Sequence, residues 1–132
     1  MTRKFTFPAF KRLKSQKQIA KLSEKSESQF IYPFKLLYLK EQVKEDIDSP
    51  VKFTISVPKK KINSAVQRNL IKRRTKEAYR IHNETLLDKI YQSDGIQVSL
   101  MFVFIENQVL EYTIIEKSIV KHLKKLIDEM VF

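Results

Sequence analysis

Apolar residues recur along this chain with the period of a strand in some stretches and of a helix in others. Val51, Phe53, Ile55 and Val57 alternate with Lys52, Thr54 and Ser56, which predicts a strand with one buried face, stopped by Pro58. Phe30 to Lys40 is aromatic and aliphatic enough for another strand, with Pro33 near its start. The charged stretch Lys44 to Pro50 reads as a hairpin loop between the two. Ile96 to Ile105 is the most hydrophobic run and predicts a central strand, entered through the turn Asp94-Gly95, which holds the chain's only glycine.

Helical spacing fills the rest. Ser15 and Gln18 match a capping box, followed by the thin apolar stripe of Ile19 and Leu22. From Ser64, a candidate N-cap, a helix is predicted, its apolar arc formed by Val66, Leu70, Ile71, Ala78 and Ile81 with Arg74 at the edge. Its pattern runs on from His82 to Gln92. Thr113 and Glu116 form a second capping box, opening a helix with Ile119, Leu123, Leu126, Ile127 and Met130 on one side. The order is helix, three strands, basic helix, strand, helix: an α+β fold of two layers. Residues 1–11 read as an extended arm and 12–132 as one domain.

Charge changes this picture at one helix. Between Lys59 and Arg80 the sequence carries nine Lys and Arg residues against Glu77 alone. Arg68, Asn69, Lys72, Arg73, Lys76 and Arg80 fall on the arc opposite the apolar one. Arg68, Lys72, Lys76 and Arg80 repeat at i, i+4, where like charges repel. A solvated face would mix signs; a face of one sign is relieved by a polyanion. The net charge of +11 and a pI near 9.8 favour the same class of partner.

Other chemistry is sparse. The chain has no cysteine, which excludes disulfides, thiolate catalysis and cysteine-bound zinc. His82 and His122 sit on different helices and read as solvated surface residues without an acid–base partner. Glu41, Glu45, Asp46 and Asp48 cluster without the spacing or glycine of a calcium loop. One glycine cannot build a phosphate-cradling loop. No apolar run reaches the roughly 20 residues of a membrane span, no N-terminal signal-peptide pattern is present, and a cytoplasmic protein without its own catalytic site is expected.

The segment Val57-Pro58-Lys59-Lys60, then Ala65-Val66-Gln67-Arg68-Asn69-Leu70-Ile71-Lys72-Arg73 and Lys76-Glu77-Ala78-Tyr79, resembles the bacterial ribonuclease P protein component. Leu70 stands where that family usually has a second arginine, Lys76 where it has arginine, and Asn63 where glycine is common. The resemblance implies a four-stranded sheet with a left-handed crossover around the basic helix. It implies a subunit of an endoribonuclease that removes the 5′ leader of precursor tRNA, the hydrolysis being carried by a catalytic RNA and its magnesium ions. Lys59, Lys60, Lys61, Arg68, Asn69, Lys72, Arg73, Lys76 and Arg80 would contact the catalytic RNA. Ile19, Phe34, Leu37, Lys52 and Thr54 would line a cleft for the leader. No membrane and no DNA partner is expected. A ribosomal or general RNA-binding protein is the alternative.

Overall fold

Four strands of useful length and a two-residue edge strand form one sheet, with three helices packed on one of its faces. The structure, a computed structural model, describes residues 11–12, 21–22, 24, 26–42, 51–92 and 95–129. The strands are β1 (Lys11–Arg12), β2 (Glu27–Ile31), β3 (Phe34–Gln42), β4 (Val51–Ser56) and β5 (Ile96–Phe104). Three helices can be bounded among the described residues, α1 (Ala65–His82), α2 (Glu84–Gln92) and α3 (Tyr112–Glu129), and Lys21, Leu22 and Glu24 are also helical. The sheet order is β1-β4-β5-β3-β2. β5 runs parallel to β4 and antiparallel to β3, and it is the central strand its composition predicts.

That order corrects two expectations. β3 and β4 are not a hairpin, because β5 lies between them. Pairing follows the need to bury the most apolar strand on both sides, and this overrides closeness in the chain. The Phe30–Lys40 strand is in fact two, folded back at Tyr32-Pro33 so that β2 and β3 pair antiparallel. The helix from Ser64 also divides. It ends at His82, and Asn83 separates it from α2.

The buried face takes alternate residues from each strand: Phe34, Leu36 and Tyr38 of β3, Val51 and Phe53 of β4, and Val98, Leu100, Phe102 and Phe104 of β5. Ile71, Ala78 and Tyr79 of α1, Leu86, Leu87 and Ile90 of α2, and Ile115, Ile119, Leu123 and Leu126 of α3 join this core. The Phe53 and Tyr79 rings stack with centroids 4.2 Å apart and planes 13° from parallel, which fixes the rotation of α1 above β4. Thr75 is buried on the same face because its hydroxyl donates to the Ile71 carbonyl at 2.7 Å. The core stripe of α1 is therefore Ile71, Thr75, Ala78 and Tyr79. It lies roughly 90° around the helix from the predicted arc, and Val66 is left 79% exposed.

His122 also departs from expectation. It has no exposed surface. Its Nδ1 lies 2.9 Å from the Gln29 amide nitrogen, and its Nε2 lies 2.9 Å from the Phe34 carbonyl and 3.2 Å from that of Ile31. An imidazole protonated on Nε2 alone satisfies all three partners. Gln29 also donates to the His122 carbonyl at 2.9 Å, so this ring ties the β2–β3 turn to α3.

Burial, with Lys125 acting in the same sense, holds the His122 pKa below the usual 6.5, and the two carbonyls only partly offset this. A depressed histidine pKa means that the unfolded chain takes up the proton first. Stability from this residue is thus complete above pH 6.5 and declines below it, by up to about 1.4 kcal/mol per pH unit. Glu77, Glu106 and Glu116 are shifted below 4.5 and act at lower pH. Thermal melts should therefore lose midpoint temperature as the pH drops from about 7.5 to about 5, and His122→Gln should flatten that dependence. Equal slopes for both proteins would remove His122 as the cause.

Candidate nucleic-acid interface

The basic segment begins where β4 ends. Pro58 terminates the strand, and its carbonyl accepts from the Lys61 amide at 2.9 Å and the Ile62 amide at 3.1 Å, closing a tight turn. Ile62 is buried under this turn, leaving Lys59, Lys60 and Lys61 exposed. Ser64 is the N-cap: its backbone is extended and its hydroxyl accepts from the Gln67 amide at 3.3 Å.

The arginines of α1 divide into structural and outward-facing groups. Arg68 donates from Nη1 to the Ile62 and Asn63 carbonyls, both at 2.9 Å, and so holds the lysine turn against the helix. Arg74 donates to the Leu110 carbonyl at 2.7 Å, joining α1 to the segment before α3. Arg80 pairs with Glu77 on the surface, which lowers the Glu77 pKa through the hydrogen bond. Arg73 is exposed, and Lys72 and Lys76 are half-buried along the flank of α1 nearest the sheet.

That flank faces a groove of about 410 Å³. Phe53, Thr54 and Ile55 of β4 form one wall; Asn69, Lys72, Arg73 and Lys76 of α1 form the other. Rotation of α1 onto Tyr79 is what aims these cations along the edge of the sheet. The groove thus brings four of the residues expected at the catalytic RNA beside Thr54, expected at the leader. Ile55 is a wall residue that the sequence reading did not single out.

The sheet face away from the helices continues from this groove. Cross-strand register sets Leu37 opposite Met101 and Met101 opposite Thr54, a single row across three strands. The next row holds Leu39, Ser99 and Lys52. There Lys21, Leu39, Glu41 and Lys52 border a smaller cleft of about 220 Å³, and Lys21 pairs with Glu41. Lys21 and Leu22 are helical, and Leu22 is buried apart from the main core. Leu37, Lys52 and Thr54 therefore share one face. Phe34 does not: it points to the other side and is fully buried against Phe102 and Phe104. Ile19 and the first capping box lie outside the described residues, as do Glu45, Asp46 and Asp48.

The remaining polar clusters are structural. His82 lies 3.1 Å from Glu116, which also accepts from the Tyr112 hydroxyl at 3.1 Å. Glu116 thus joins α3 to the end of α1 and does not complete a capping box; α3 begins at Tyr112, before Thr113. Among the described residues no group of three or more His, Asp or Glu is placed to hold a metal ion, and no helix is long and apolar enough to cross a membrane.

Fold and groove together define a class: an α+β protein with a cationic helix set along a sheet whose far face is partly open. The chain belongs to the ribonuclease P protein family, whose model, described as Ribonuclease P, matches residues 7–130. Two curated proteins of Porphyromonas gingivalis named ribonuclease P protein component are 32% identical over 72 residues. That match spans 54% of this chain and about half, 52%, of the length of each relative. Among solved structures, the Staphylococcus aureus RNase P protein aligns over 88% of this chain and 94% of its own with a TM-score of 0.60 at 20% identity. The Thermotoga maritima RNase P protein aligns over 87% and 96%, with a TM-score of 0.62 at 15% identity. These likenesses carry the fold: three helices and a four-stranded mixed sheet, to which β1 adds two residues at the edge.

Proposed function

We propose that this protein is the protein subunit of a ribonuclease P, and that it assists a catalytic RNA in removing the 5′ leader of precursor tRNA. The groove between β4 and α1 carries this reading. It sets Asn69, Lys72, Arg73 and Lys76 against the strand that leads onto the open sheet face. Lys72, Arg73 and Lys76, with Lys59 to Lys61, neutralise phosphates of the catalytic RNA, and the release of condensed counterions supplies affinity. Arg80 adds a weaker contact, since Glu77 competes for it. Arg68 acts mainly through the lysine turn it holds. Asn69 can both donate to a phosphate and accept from a metal-bound water. The leader lies across Leu37, Thr54 and Lys52.

Phosphodiester hydrolysis belongs to the RNA in this reading. Lysine and arginine ammonium and guanidinium groups repel a divalent cation, and Asn69 is the one side-chain oxygen donor they surround besides Thr54. This donor set does not fit a magnesium ion resident on the protein, so the ion is assigned to the RNA. A cytoplasmic place of action accompanies the reading.

The test is addition of the purified protein to ribonuclease P RNA at a magnesium concentration too low for the RNA alone. Cleavage at the mature 5′ end of precursor tRNA should be restored. No stimulation, with intact binding to ribosomal RNA, would replace this reading with that of a general RNA-binding protein.

A further inference from the structure

At one end of the sheet two large aromatics stand in solvent. Phe30 is 56% exposed and Tyr32 50% exposed. Single exposed apolar residues are ordinary, but these lie two positions apart on one hairpin, and Phe30 falls in register with Lys35. Phe30 sits opposite Lys35, Lys35 opposite Val103, and Val103 opposite Ser56, so this row crosses all four main strands. It is two residues, roughly 7 Å, from the Leu37–Met101–Thr54 row. From Ser56 the chain passes through Val57 and Pro58 into the Lys59–Lys61 turn.

The hairpin tip is held in place. The Tyr32 hydroxyl donates to Glu106, and the Ile105 amide donates to the Pro33 carbonyl at 3.0 Å. Lys61 is close enough to Glu106 to favour its charged form, which puts the lysine turn at this same end of the sheet. Exposed rings beside an interleaved lysine are the elements of a surface that stacks unpaired bases while neutralising a phosphate between them.

We propose that Phe30 and Tyr32 form a stacking platform for unpaired bases of the precursor leader, one row beyond the nucleotides on Leu37 and Thr54. The platform rests on the leader-binding reading above and adds a contact that only a longer leader can reach. Base–aromatic stacking tolerates any sequence, because every base has a π-face. The gain is therefore one of length and not of sequence.

The experiment uses the holoenzyme, reconstituted with ribonuclease P RNA, and precursor tRNAs carrying short, intermediate and long leaders. Wild-type affinity should rise as the leader lengthens. Phe30→Ala should lose about five- to tenfold of affinity for the long leader, with the difference closing as the leader shortens. Phe30→Trp should keep the gain, and Tyr32→Phe should lose less than Tyr32→Ala, since it retains the ring. A 2-aminopurine base in the distal leader should be quenched by the wild-type holoenzyme and less so by Phe30→Ala. Stimulation of cleavage by Phe30→Ala holoenzyme that matches wild type in affinity and quenching at every leader length overturns the platform alone. Absence of stimulation by the wild-type protein overturns the parent reading.

Discussion

Changing Lys72, Arg73 and Lys76 together to alanine should lower the slope of log affinity against log salt by about 2–3 and weaken binding to the catalytic RNA on the order of a hundredfold at physiological salt. Each phosphate neutralised contributes roughly 0.7–0.9 to that slope. The three side chains share one wall of the β4–α1 groove, so they meet one stretch of backbone. Total charge is the competing explanation, since the chain is strongly basic throughout. Lys117, Lys121 and Lys124, exposed on α3, offer the control: their removal takes away the same charge, and none of them lines the groove. Changing those three to alanine should leave most of the slope in place. Equal losses from the two triple variants would mean that the protein attracts RNA by net charge and not through a site.

Phe102→Ala should be the most destabilising of the single core truncations, at about 3–5 kcal/mol. The Phe102 ring has no exposed surface and lies at the meeting point of both layers. Its centroid is 5.9 Å from Phe34, 5.8 Å from Phe53, 6.3 Å from Tyr79 and 5.6 Å from the His122 imidazole. Its removal would open a cavity touching β3, β4, α1 and α3 together, with little freedom for any of them to collapse into it. Since domains of this size are stable by about 5–15 kcal/mol, the loss is a large share of the total. Urea unfolding measures it directly. A cost below about 1 kcal/mol would mean that the aromatic cluster does not set the rotation of α1 over β4.

Much of the fold was legible because burial is periodic. Val51 to Val57 alternates, and β4 is that strand with Lys52, Thr54 and Ser56 on the open face. The run Ile96 to Ile105 is apolar except at Gln97 and Ser99 because it is paired on both edges, and β5 is central. The position of β5 between β3 and β4 was not legible, since local pattern carries no record of which strands become neighbours. Strand parity did contain the correction for the leader residues. Phe34 and Leu37 differ by an odd number of positions, so they cannot both face one side of a regular strand. Lys52 and Thr54 can, and they do.

The helix that matters most was correctly placed and wrongly rotated. Counting aliphatic residues alone gave weight to Val66 and Ile81, both of which are exposed. Ile71, Thr75 and Tyr79 repeat at i, i+4, i+8, and the large ring of Tyr79 decides the phase once it can stack on Phe53. A threonine in that row hides the signal until its hydroxyl is seen to bond within the helix. His122 shows the same effect on α3. It shares a stripe with Ile115, Ile119 and Leu126, and a polar side chain there is buried because Gln29 and two carbonyls receive it. The cationic residues themselves were plain in the sequence. Their division was not: Arg68 and Arg74 bond backbone carbonyls inside the protein, and that depends on turns which only the folded chain brings near.

The most direct measurement is the rate of precursor tRNA 5′ cleavage by ribonuclease P RNA at limiting magnesium, compared among no protein, wild type, the Lys72/Arg73/Lys76 triple variant and the α3 triple variant. The groove account predicts stimulation by wild type and by the α3 variant, with little or none from the groove variant. Stimulation by the groove variant equal to that by wild type would contradict it.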